Sequence, residues 1–133
     1  MDEAVKATVR ACTSALHERC ISFGAAVTQL LAAGVEHTHA DLVRSENSYN
    51  VPDGASEVVP ADAVAGTAPA AFYAEGVAAS VRVIHAGEIT YRAFCERTMA
   101  AGCVFCFVSL AGRRTVHYGR TIDRRVEWFP GTS

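Results

Sequence analysis

ITYRAFCERTMAAG (Ile89–Gly102) and ISFGAAVTQLLAAG (Ile21–Gly34) are the two stretches whose comparison decides the fold. They align without a gap at an offset of 68 residues (89 − 21). The leading Ile, one inner Ala and the closing Ala-Ala-Gly are identical, and Ser22/Thr90, Phe23/Tyr91 and Leu31/Met99 are conservative exchanges. Self-similarity at a fixed offset reads as one structural unit used twice.

Each copy carries its own helix signals. Ser22 and Thr90 stand where an N-cap hydroxyl accepts a bond from an otherwise unpaired amide of the first turn. Ile89 and Phe94 have the spacing of a hydrophobic staple. Gly34 and Gly102 stand where a residue in the left-handed conformation ends a helix. Upstream, Val5, Val9, Cys12 and Leu16 form one helical stripe, and a helix over about Glu3–His17 follows. Tyr73, Val77, Val81 and Ile84 form the matching stripe of a third helix. His17 and His85 fall at equivalent helix ends, where an imidazole suits the helix dipole. The first two helices are joined around Glu18–Ile21.

Downstream of each glycine the period becomes two. Thr38, Ala40 and Leu42 point one way, and His37, His39 and Asp41 the other. Arg44–Asn47 reads as a hairpin turn, followed by strands over Ser48–Val51 and Glu57–Val59, the latter ending at Pro60. In the second copy, Cys103–Leu110 is a near-continuous apolar strand. Ala111–Arg114 reads as a turn one residue longer than its counterpart, which sets Tyr118 in the place of Tyr49. Thr115–Gly119 and Arg125–Phe129 complete the pattern. The expected fold is therefore α+β: a helix-helix-strand-strand-strand unit used twice, with antiparallel meanders and four helices packed on the sheet. One domain of 133 residues is expected, with repeats over 2–62 and 70–132 and a linker at about 61–69. Whether the sheet stays open or closes into a barrel is left open.

Composition narrows the function classes. Half the residues are apolar and the net charge is −2, with no block of Lys or Arg, so no nucleic-acid partner is expected. No apolar run approaches the roughly 20 residues of a membrane span. The charged N-terminal segment lacks the apolar core of a signal peptide. Five Cys without such a signal point to reduced thiols in a cytoplasmic protein.

The most chemical-looking cluster is His37, His39 and Asp41, spaced two apart on one strand face. Histidine beside carboxylate suits a divalent metal or an acid–base pair. The same pattern also suits the solvated side of an antiparallel sheet. The matching positions in the second copy are Phe105, Phe107 and Ser109, which are not ligands, so neither a bound metal nor a cofactor is expected. That face, with Phe105 and Phe107 beside His37 and His39, is the candidate ligand surface. His117, Tyr118 and Glu127 on the neighbouring strands are candidates to join it. Cys103-x-x-Cys106 has redox spacing, yet residues three apart on a strand point to opposite faces and no second pair exists. Buried, inert thiols are expected there.

From about Ser22 on, the chain resembles the YbcV-like family of uncharacterised bacterial and prophage-encoded proteins. The resemblance rests on AAGC, SLAGRR, HYGR and VEWFP in the second half and on GVEHTHADLVRSENSYNVPDG in the first. It implies a fold type and a bacterial source, and carries over no activity and no catalytic residue. The expected function is a non-catalytic module binding a small molecule or a protein. The alternatives are a small enzyme using His37, His39 and Asp41, with His117, or a homo-oligomer, such as a homodimer, whose sheet face is its interface.

Overall fold

The computed structural model describes residues 1–18, 22–61, 64 and 66–130, with residues 17 and 18 described by backbone alone. The expected joint between the first two helices, Cys20, the His17 side chain and part of the linker lie outside the described residues. The elements are α1 (Glu3–Glu18), α2 (Phe23–Ala32), β1 (His37–Asp41), β2 (Glu46–Asn50), β3 (Ser56–Pro60), α3 (Ala74–His85), α4 (Tyr91–Ala100), β4 (Cys103–Ser109), β5 (Arg114–Gly119) and β6 (Arg124–Trp128). The order helix-helix-strand-strand-strand thus occurs twice. No helix among the described residues is long and apolar enough to cross a membrane.

The local signals act as the sequence implies. The Ser22 hydroxyl accepts the Ala25 amide at 3.1 Å, and the Thr90 hydroxyl accepts the Ala93 amide at 3.1 Å. Gly34 and Gly102 lie at φ 87° and 101°, beyond the last helical turns. At the end of α2 the Val35 amide reaches the Leu30 carbonyl and the Gly34 amide the Leu31 carbonyl, the pairing that absorbs orphan helix carbonyls. This draws Val35 into the core, where it is buried. Tyr73 departs from the expected stripe. It precedes α3 as its N-cap and is exposed, while Val77, Val81 and Ile84 are buried.

The six strands form one antiparallel sheet in the order β3-β2-β1-β4-β5-β6. The sheet is open, with β3 and β6 as its edges. The halves meet at β1 and β4, where His39 pairs with Phe107, the residue 68 positions on (107 − 39). A strand pairing antiparallel with its own counterpart places a pseudo-twofold axis through that residue pair. The two hairpin turns have the same length, residues 42–45 and 110–113, so the expected extra residue in the second turn does not exist. Ser45 and Arg113 sit at equivalent places in them, at φ 54° and 55°. With equal turns the counterpart of Tyr49 is His117, not Tyr118.

The helices cover one face of this sheet and build two apolar cores. One gathers Val9, Cys12, Leu30 and Tyr49 from the first half, yet includes Leu110 from β4's end. The other gathers Val77, Val81, Phe94 and Met99 from the second half, yet includes Leu42 from β1's end. The exchange follows from the antiparallel join: the Leu42 amide bonds the Val104 carbonyl and the Leu110 amide the Glu36 carbonyl. Each strand end therefore lies over the other half's helices.

Candidate functional site

The second face of the sheet has no helix on it, and alternation decides what it shows. Its central row runs Val58, Ser48, His39, Phe107, Val116 and Val126 across the six strands. Asp41, Phe105, Tyr118 and Arg124 lie in the row on one side, and His37, Ser109, Arg114 and Trp128 in the row on the other. Phe107 is 44% exposed, Val126 40%, Trp128 42% and Val58 51%.

The structure brings most of the anticipated residues together here. The His39 ring stacks on Phe107 at 4.4 Å and 13°, and stands edge-on to Phe105 at 5.6 Å. Phe105 in turn stacks on Tyr118 at 5.0 Å. The row of rings surrounds His39, whose Nε2 is buried and has no hydrogen-bond partner among the described residues. His37 is at the margin, its side chain 41% exposed, with Nδ1 3.7 Å from a Glu36 carboxylate oxygen.

Two of the anticipated residues are engaged otherwise. Asp41 uses one carboxylate oxygen to accept the amides of Val43 and Arg44, both at 3.0 Å, and so holds the hairpin turn. Its counterpart Ser109 does the same, accepting the Gly112 amide at 2.8 Å. The Asp-for-Ser exchange is thus two ways of closing one turn. His117 does not join the face at all. It neighbours Tyr118 in sequence, so it points through the sheet toward the helices, where it is 2% exposed. Among the described residues no group of three or more His, Cys, Asp or Glu side chains converges on a metal-sized site.

The Cys103-x-x-Cys106 reading needs a correction of geometry. A bulge between Cys103 and Phe105 breaks the alternation, so both thiols are buried instead of flanking the strand. Burial pushes the Cys103 thiol up to about 11 and raises Cys106 well above the ordinary thiol value, the direction that quenches thiolate chemistry.

Trp128, Val126, Val58, Arg114 and Arg124 belong to the open face and were not singled out from the sequence. The signal was present in the alternation of Arg124-Arg125-Val126-Glu127-Trp128. It needed only the register to say which alternate set faces away from the helices.

On the covered face, two small cavities lie between helices and sheet, of ≈ 50 and ≈ 70 Å³. Both are lined by Phe23, Ile84, Tyr91 and Val108. Phe23 and Tyr91 stand 68 apart (91 − 23), so each half contributes one ring to the wall that the two cavities share. The smaller one also meets His85, Thr115, His117 and Glu127. Burial lowers His117 to about 4, with His85 adding to the shift. Burial lowers His85 too, against the opposing pull of Glu127.

No family model and no curated protein matches this chain.

Proposed function

We propose that this is a non-catalytic protein-binding module of the bacterial cytoplasm, which recognises an acidic, apolar segment of a partner protein on the uncovered sheet face. The observation that carries the reading is the apolar run Phe107, Val116 and Val126, with Trp128 beside it and Val58 apart on the far edge strand, on a face rimmed by polar groups. Contiguous exposed apolar surface of this kind marks interaction sites. Arg114 and Arg124 are exposed beside the row, and Arg114 lies over the Trp128 ring at 5.0 Å. The nearby carboxylates are already engaged, Asp41 by its turn and Glu46 by Arg44 at 2.9 Å. The exposed charge next to the apolar run itself comes from Arg114 and Arg124.

Size argues for a modest occupant. Six strands of five residues span roughly 24 by 17 Å, or about 400 Å² of face. Two such faces pressed together bury about 800 Å², short of the roughly 1,200–2,000 Å² of a stable complex. A lasting homodimer through this face is accordingly disfavoured against a transient partner. The resemblance to the YbcV-like proteins supports the bacterial setting, and the free buried cysteines suit a reducing one. The engagement of Asp41 and the inward placement of His117 take support from the enzyme reading.

Trp128 is the single tryptophan, so its emission reports on this face. A synthetic peptide with a Leu-Phe anchor flanked by glutamates should shift Trp128 emission to the blue and shield it from acrylamide. The effect should weaken with salt, which screens exposed charge, and vanish in Phe107→Ser while the unfolding transition stays put. A lysine-flanked peptide that binds equally well refutes the charge argument. Emission that changes on dilution alone, without peptide, assigns the face to a second copy instead.

A further inference from the structure

Tyr49 and His117 occupy the same place in the two halves, yet Tyr49 meets a hydroxyl and His117 only a sulfur. The Tyr49 hydroxyl lies 2.5 Å from the Thr13 hydroxyl, inside the first core. The counterpart of Thr13 is Val81 (13 + 68), which offers no polar atom. His117 is 2% exposed, and its one polar contact among the described residues is Cys103 Sγ at 4.0 Å from Nδ1. A sulfur at that distance is a weak partner, and it occupies only one of the two ring nitrogens. A buried polar group so placed beside an empty space is rare unless something fills the space.

We propose that the cavity lined by His117, Thr115, His85 and Tyr91 is a binding site for a small neutral molecule with a compact apolar body and one hydroxyl, the class whose simplest aromatic member is phenol. The walls set the body: Phe23, Ile84 and Phe94 are apolar and close around it. The polar end sets the hydroxyl. Neutral imidazole has one N–H and one lone pair, and which nitrogen carries the proton is not fixed by the Cys103 contact. A hydroxyl donates and accepts, so it satisfies His117 in either tautomer. An anion would meet the Glu127 carboxylate, which also lines the cavity. A cation would find the Glu127 carboxylate already paired with Arg125 at 2.9 Å, and the rest of the wall apolar.

The space is tight but divisible. The ≈ 50 Å³ cavity adjoins the ≈ 70 Å³ cavity across shared Phe23 and Tyr91 side chains. Together they approach the roughly 150 Å³ in which an apolar protein cavity takes up benzene. A ligand of one ring therefore parts the Phe23 and Tyr91 rings along the seam between the halves.

The test is titration of the whole protein at pH 7 with phenol and, in parallel, benzene. Binding is followed by the melting temperature and by backbone and side-chain NMR shifts. Phenol should raise the melting temperature saturably, perturb His117, Tyr91 and Phe94, and bind about tenfold tighter than benzene, the worth of one net hydrogen bond. In His117→Phe the preference for phenol should disappear while benzene still binds. In the double variant Val81→Thr/His117→Tyr, which copies the satisfied pair of the first half, phenol affinity should fall by at least tenfold. That variant keeps the test decisive if His117→Phe fails to fold. Equal binding of phenol and benzene to the wild-type protein overturns the proposal. So does absence of binding by either, or phenol shifts confined to Phe107 and Val126 on the opposite face.

Discussion

His117 and Tyr49 show how much a single residue can set apart two otherwise matching halves. Tyr49 keeps its proton, because burial raises its phenol and leaves Thr13 as a neutral partner. His117 loses its own, because burial disfavours the imidazolium. The consequence for stability has a definite sign. An unfolded imidazole titrates near 6.5, whereas folded His117 holds out to about 4. The unfolded chain therefore binds the extra proton in that window, and stability present above about pH 6.5 is lost as the pH falls toward about 4. The difference amounts to about 3 kcal/mol at most. His85, lowered in the same direction, adds to the loss. Urea unfolding at pH 7.0, 5.5 and 4.5 should show the decline in the wild-type protein and a shallower one in His117→Phe. Identical slopes would mean that His117 is not the group responsible.

At the scale of elements, the two glycines that end α2 and α4 do the same job in different company. Both need positive φ, where a Cβ costs roughly 1–2 kcal/mol. A Cβ on Gly34 would meet nothing within 4 Å. A Cβ on Gly102 would run into the Ala71 carbonyl oxygen and lie 3.0 Å from Phe72 Cα. Gly34→Ala should therefore cost about 1 kcal/mol and Gly102→Ala clearly more, by denaturant midpoints. Equal losses would show that the backbone before α3 yields freely. The hairpins behave alike instead. Asp41 and Ser109 each close a four-residue turn containing one left-handed residue, Ser45 or Arg113. The bulge at the start of β4 is the element without a counterpart, and it is what turns Cys103 inward.

For the whole molecule, the exchange of Leu42 and Leu110 between cores decides how it unfolds. Leu110 directly follows β4 and fills the core built by α1 and α2. Leu110→Ala leaves a hole there, and such truncations cost 2–5 kcal/mol. We expect about 3 kcal/mol, with a single cooperative transition, since neither core is complete without a residue from the other half. Two separable transitions in calorimetry would mean that the halves are independent units. Charge ties the outer parts together only lightly: Arg10 to Glu57 at 2.5 Å joins α1 to β3, and Arg125 to Glu75 at 3.6 Å joins β6 to α3 with the signs reversed. Exposed pairs of this kind contribute about 0–1 kcal/mol each.

The sequence by itself determined the features whose causes lie within a few residues. Ser22 and Thr90 cap because a hydroxyl reaches an amide three residues on, and Gly34 and Gly102 end helices because only glycine is unstrained there. The strands alternate Thr38, Ala40 and Leu42 against His37, His39 and Asp41 because successive side chains leave a strand on opposite sides. The offset of 68 carried these local readings from one half to the other, and with them the α+β class. Only the tertiary structure decided what depends on distant residues meeting. The join of β1 to β4 rests on the pairing of His39 with Phe107, and the sheet is open because β3 and β6 each pair on one side only. The true length of the second turn, and with it the pairing of His117 with Tyr49, rests on where β5 locks onto β4. The exposure of Trp128 follows from the same registers. Hydrogen-bond register across strands is set by the packing of whole faces, and no local run of residues encodes it.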